Sequence, residues 1–152
     1  MIRIVRTNSD NPDFHKLTAQ LDEELCRIYD TKQEDYAAFN LITGLPTVVL
    51  AYNNQEPVGC GCFKSNDTDT IELKRMFVLP AFRGKGIASK IVGELETWGA
   101  EQGKSTAILE TGNKQPEAIA LYTKLGYEVT EKFGVYIDMP LSVCMKKLLH
   151  QS

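Results

Sequence analysis

Residues 78–88 constrain the fold more than any other stretch of this chain. They read V-L-P-A-F-R-G-K-G-I-A: an apolar strand stops before Pro80, two glycines frame Lys85, and a helical stripe starts at Ile87. Glycine lets the backbone turn its N–H groups to one side, and a helix N-terminus adds partial positive charge there. A strand, a glycine turn and a helix in that order make an anion cradle. Arg83 and Lys85 add full charges. From Leu73 to Gly93 the chain carries Lys74, Arg75, Arg83, Lys85 and Lys90 and no acidic residue, although its net charge is −3. A basic island in an acidic protein points to a bound anion. Scattered lysines at an exposed helix start would give the same pattern.

Two familiar phosphate loops fail on spacing. A Walker loop needs a glycine five residues before Gly84 and Ser or Thr after the lysine; this chain has Leu79 and Gly86 there. A Rossmann turn needs three glycines directly after a strand. Here Ser89 takes the third place and residues 80–83 intervene.

Periodicity places the other elements around this loop. Residues 2–6 alternate apolar and basic, as a strand does. Leu17, Leu21, Leu25 and Ile28 form a helical stripe, and residues 34–40 would add a short second helix ending near Gly44 and Pro46. Residues 48–52, 57–64 and 70–79 read as the strands of an antiparallel meander. Ile87, Ile91, Leu95 and Trp98 line one face of the next helix, which Gly103 ends. A fifth strand covers 105–111. Pro116 opens a helix with Ala118, Leu121, Tyr122 and Leu125 on one side. Residues 127–131 and 141–146 supply the last strands. The expectation is one α/β domain over residues 1–152, in the order β-α-α-β-β-β-α-β-α-β-β.

Composition narrows the function classes. At 152 residues and 43% apolar, the chain builds a core without staples. Its longest apolar run, residues 48–52, is far below the ~20 residues of a membrane-spanning helix. Residues 1–12 hold no secretory-type apolar stretch, so the expected compartment is the cytoplasm and no membrane is a partner. Net acidity argues against a general nucleic-acid binder. Cys26, Cys60, Cys62 and Cys144 read as reduced thiols, with Cys60 and Cys62 on one face of one strand. His15 and His150 stand alone, and no spacing matches a metal site. Leu148 and Leu149 would serve a homodimer or finish the core.

Residues 78–88 resemble the acyl-CoA pyrophosphate loop of the GNAT family of N-acetyltransferases, V-x-P-x-x-[QR]-G-x-[GA]-x-[AG]. Residues 118–127, A-I-A-L-Y-T-K-L-G-Y, resemble that family's A-x-x-L-Y-x-x-x-G-[FY]. The two fall in the family's order, with one helix and one strand between them. The resemblance implies the GNAT fold, a mixed and mostly antiparallel sheet, with acetyl-CoA as cosubstrate. It implies that backbone N–H groups of Arg83, Gly84, Lys85, Gly86, Ile87 and Ala88 hold the pyrophosphate. The main chain of Met76, Phe77 and Val78 would pair with the pantetheine arm, between a fourth and fifth strand that splay apart. Gln115 stands where many members carry a cofactor-contacting Asn.

Acetyl transfer to an amine poses two proton problems. An alkyl ammonium, with a pKa of about 10.4, must lose a proton before it can attack, and the departing thiolate leaves better with one supplied. The resemblance implies direct attack on the thioester and assigns Tyr122 as the general acid. It places Glu72, six residues before Val78, where histone-type members carry a general base. Strand alternation sets Glu72, Lys74, Met76 and Val78 on one face if no bulge intervenes. Glu110 is the rival base. Packing alone would also account for Tyr122, and a surface pair with Lys74 for Glu72. Asp22, Glu23, Glu24, Asp30, Glu34, Asp35, Tyr36 and Asp138, with Tyr29 and Tyr136, suit a cationic acceptor. The expected acceptor is a primary amine of a small molecule. A peptide amine (a protein lysine or N-terminus) is the alternative. A non-catalytic acyl-CoA sensor and a nucleotide-binding module complete the set.

Overall fold

The structure is a computed structural model and describes residues 1–30 and 44–149. Its seven strands form one sheet in the order β1-β2-β3-β4-β5-β7-β6. They are β1 (Ile2–Thr7), β2 (Val48–Asn53), β3 (Glu56–Ser65), β4 (Thr70–Val78), β5 (Thr106–Gly112), β6 (Glu128–Val129) and β7 (Ser142–Leu148). Three helices accompany them among the described residues: α1 (Pro12–Tyr29), α2 (Ile87–Glu101) and α3 (Pro116–Lys124). The second helix expected over 34–40, with Glu34, Asp35 and Tyr36, lies outside the described residues, as does His150. The last hairpin is shorter than expected on one side, since β6 keeps only two residues.

Local chemistry sets the elements. The Asn11 side chain accepts from the Asp13 N–H at 2.8 Å, and Pro12 opens α1. Asp30 closes it in a left-handed conformation with its N–H on the Cys26 carbonyl. Phe14, Leu17 and Leu21 of α1 bury against Leu50, Cys60, Cys62 and Phe77. On the other face Ile87, Ile91 and Leu95 of α2 bury against Val49, Phe63, Ile71 and Leu73. The sheet is therefore covered on both sides, and Val48, Val49, Leu50 and Ala51 read as a continuous apolar run because all four are buried. Each of the valine and leucine side chains contributes about 1.5–3 kcal/mol of burial. At the C-terminal end, Leu149 joins the core while Leu148 is 70% exposed.

Two irregularities in β4 shape everything that follows. First, its register against β3 jumps between Cys62↔Lys74 and Cys60↔Phe77, so Arg75 and Met76 together oppose Gly61. Arg75 has φ 59, in the left-handed region. The bulge overturns the uninterrupted alternation expected along this strand. Lys74 stays with Glu72, whereas Met76 and Val78 turn to the α2 face, beside Ile91 and the rest of that core. Second, the parallel pairing of β4 with β5 stops at Leu73↔Leu109, while β5 runs on with β7 to Gly112↔Ser142. The strands splay as the family resemblance implied. Beyond Leu73, the edge of β4 faces a cleft instead of a neighbour.

Candidate active site

A cavity of about 940 Å³ occupies one side of the splay. Met76, Phe77 and Val78 line it from β4, and Arg83, Gly84, Gly86, Ile87 and Ala88 from the loop and α2. Gln115 lines it from the start of α3. Lys85 does not; its ammonium lies 5.3 Å from the centre of the Phe82 ring. Gly84 and Gly86 hold φ 79 and 80, and the space beside both Cα atoms is empty to 4 Å. Among the described residues no side chain caps the N-terminus of α2, which leaves its first N–H groups to an anion. At these two positions no Cβ stands in the way of a diphosphate.

The loop arginine has a different job from the one its charge suggests. Arg83 Nε donates to the Val78 carbonyl at 2.8 Å, and Nη2 donates to both Glu24 carboxylate oxygens at 2.8 and 3.0 Å. It ties α1 to the loop, leaving anion contact to the backbone. The Val78 carbonyl, expected to face the pantetheine arm, is already engaged by this bond.

A second cavity of about 460 Å³ lies between α1, β4, β5 and the segment before β7. The two cavities share Leu21, Met76, Gln115, Ala118 and Tyr122. Tyr122 thus stands at their junction. It is 6% exposed, its ring meets Tyr127 edge-on at 5.8 Å, and burial pushes its hydroxyl well above the usual phenol range. At neutral pH it holds its proton.

The smaller cavity is ringed by charge. Glu110 lines it, and burial raises its carboxyl above the ordinary range, opposed by a 2.6 Å hydrogen bond from the Ser142 hydroxyl and by Lys74. Glu72 lines neither cavity. It is 3% exposed, lies 3.7 Å from both Lys64 and Lys74, and accepts from the Tyr136 hydroxyl at 3.3 Å. Lys74 and Arg75 line the smaller cavity from β4. Burial lowers the Lys74 ammonium, and Glu72 works against that shift.

Of the residues expected to read an acceptor, Tyr29 and Asp138 line this cavity. Asp22 is engaged by Arg75 at 2.7 Å, Glu24 by Arg83, and Asp30 caps α1. Tyr136 lies behind the cavity on Glu72. Sequence reasoning missed Ser142 and the placement of Lys74 and Arg75. The basic island had already marked the last two, but only the bulge brings them to one cavity.

Residues 12–127 match the sequence model of the acetyltransferase (GNAT) family. The chain belongs to the GNAT family: it is an N-acetyltransferase, with acetyl-CoA as its cosubstrate. A protein of Azospirillum brasilense named IAA acetyltransferase is 40% identical over 102 residues, 66% of this chain and 67% of that one. The uncharacterized N-acetyltransferase YjgM of Escherichia coli is 40% identical over 82 residues, 53% of this chain and 49% of YjgM. The matches thus span about half to two thirds of these curated relatives. A solved Klebsiella pneumoniae chain, itself a proposed acyl-CoA N-acyltransferase, superposes with a TM-score of 0.82 at 30% identity, covering 99% of both chains. An Elizabethkingia anophelis GNAT acetyltransferase with acetyl-CoA bound shares the fold at 20% identity and a TM-score of 0.72, over 97% of this chain and 98% of that one.

Proposed function

We propose that this enzyme acetylates the primary amine of a small molecule, with Tyr122 as general acid and Glu110 as general base. The observation that carries the reading is the position of Tyr122, which lines both the cleft under the α2 N-terminus and the smaller charged cavity. A cavity of about 460 Å³ suits a small acceptor. Acetyl-CoA supplies the acetyl group as a thioester whose sulfur is the leaving group.

The chain's own residues divide the remaining work. Backbone N–H groups at Gly84, Gly86, Ile87 and Ala88 hold the diphosphate, and the free edge of β4 at Met76 and Phe77 aligns the arm. Gln115, at the rim of both cavities, offers its amide to the same arm. Glu110 takes a proton from the acceptor ammonium; burial raises its carboxyl, which makes it a stronger base than an exposed one. Tyr122 keeps a proton ready beside the leaving sulfur. Bringing both reactants to one point supplies several kcal/mol of the barrier reduction, roughly 7–11 at the upper limit.

Glu72 as the base is the second reading, favoured by its offset from Val78. Its full engagement by two lysines and Tyr136 fits a positioning role better. A cytoplasmic setting agrees with the four cysteines being unpaired. The test is calorimetric titration with acetyl-CoA, CoA, ATP and NAD, followed by an amine panel read by free-thiol release. Selective binding of acetyl-CoA and CoA, with thiol release on some amines, is the expected result. Binding without transfer to any amine would overturn the enzymatic assignment of the smaller cavity.

A further inference from the structure

The β4 bulge gives the acceptor cavity a cationic wall. A regular strand would send Lys74 and Arg75 to opposite faces. With the extra residue, both turn toward the α1 side. Arg75 Nη2 donates to the Thr18 carbonyl at 3.0 Å and to Asp22 at 2.7 Å. Lys74 Nζ lies 3.4 Å from the Tyr136 hydroxyl. The side chains are 3% and 9% exposed, and both line the cavity. The two Nη2 hydrogens of Arg75 are spent on α1, whereas its buried Nε has no hydrogen-bond partner among the described residues. That Nε is sealed from the cavity, so Arg75 acts on a ligand there through its charge.

The facing wall carries the opposite charge. Glu110 of β5 and Asp138 of the segment before β7 line the same cavity, as do Leu21 and Leu25 of α1. The lining is therefore dipolar, cationic along β4 and anionic along β5. The pairing of the two strands ends at Leu73 and Leu109, so Lys74 and Glu110 stand side by side where the strands begin to diverge.

Resting on the assignment of this cavity to the acceptor, we propose that the acceptor is an amine that also bears a carboxylate, with the carboxylate on Arg75 and Lys74 and the amine toward Glu110. A monoanion matches the wall better than a phosphate dianion does. Asp22 already offsets Arg75, and Glu110 and Asp138 would repel the second negative charge. Leu21 and Leu25 offer apolar surface in the same cavity to a hydrocarbon body joining the two groups.

Matched probes test this. Each standard amino acid, together with β-alanine and γ-aminobutyrate, is compared with its methyl ester and its decarboxylated amine. One readout is thiol release with acetyl-CoA; the other is calorimetric binding to the full chain in the presence of CoA. At least one acid should exceed its ester tenfold or more in kcat/KM and in affinity. Lys74→Met should bring that ratio below about threefold. Arg75→Lys should lower it as well, and Lys74→Met keeps the test open should the α1 tether make the Arg75 variant fail to fold. Esters or plain amines matching their parent acids would overturn the proposal. If no amine is acetylated, the enzymatic reading fails. The carboxylate site is then judged on binding alone, and acids that bind no better than their esters overturn it too.

Discussion

The Tyr29 hydroxyl fills the space that a side chain on Gly112 would need. It accepts from the Gln115 amide and from the Lys114 N–H, both at 3.3 Å, and the Lys114 ammonium lies 5.7 Å from the ring centre. The last turn of α1 thus crosses to the end of β5 and the start of α3, over the mouth of the splay. Gly112 permits that crossing by lacking a Cβ. Gly112→Ala should displace Tyr29 and cost about 1–3 kcal/mol, the usual range for overpacking. For a chain of this size each kcal/mol lowers Tm by roughly 2–4 °C. Pairing Gly112→Ala with Tyr29→Ala should cost less than the sum of the two, because the clash is shared. Additive losses in thermal melts would show that the two residues do not compete for one space.

Tyr122→Phe keeps the ring, its edge-on contact with Tyr127 and its place between the cavities, and removes only the hydroxyl. The expected result is a fall in kcat of ~10²–10⁴, the usual contribution of a positioned acid. Affinity for acetyl-CoA should stay within about twofold, since no contact of the diphosphate cradle is touched. Loss of affinity with unchanged turnover would assign the tyrosine to binding.

Much of this was legible in the chain, because the signals were local. The P-x-x-R-G-K-G turn announced the cradle, and apolar stripes such as Ile87, Ile91 and Leu95 announced the helices that flank it. What escaped was set by contacts between distant segments. The bulge at Arg75 depends on how β4 registers against β3, and nothing in L-K-R-M-F marks an extra residue there. Ser142 reaches Glu110 only because β7 inserts between β5 and β6. Arg83 looked like an anion ligand by charge alone, and Glu24, fifty-nine residues earlier, redirects it. The same limit applies to Glu72. Its offset from Val78 could be counted, but its burial under Lys74 and Tyr136 could not.

Gly86 combines two demands. Its φ of 80 is closed to most L-residues at a cost of about 1–2 kcal/mol, and the space beside its Cα opens into the cleft. Gly86→Val should therefore lower Tm by a few degrees and weaken acetyl-CoA binding at least tenfold in calorimetry. Arg83→Ala should weaken it less, since the side chain is turned to Glu24 and Val78. If Arg83→Ala proved the more damaging of the two, the guanidinium would have to leave Glu24 for the cosubstrate on binding.

The carboxyl of Glu110 carries both a pH limb and a stability term. The Ser142 hydrogen bond favours the ionised form, so Ser142→Ala should raise the carboxyl further and move the acidic limb of kcat/KM to higher pH. Glu110→Gln should remove that limb along with most turnover, whereas Glu72→Gln should retain it. The sign for stability is opposite to that of a salt-bridged carboxylate. A folded pKa above the unfolded one means that the folded state binds more protons between the two values, so stability falls as pH rises through that window. Above it, ionised Glu110 is a standing cost that glutamine does not carry. Glu110→Gln should accordingly melt higher than the parent at neutral pH, and the gap should close once the pH falls below the ordinary glutamate value of about 4.3. An acidic limb that survives in Glu110→Gln and vanishes in Glu72→Gln would move the base to Glu72 and leave Glu110 as a wall of the acceptor cavity.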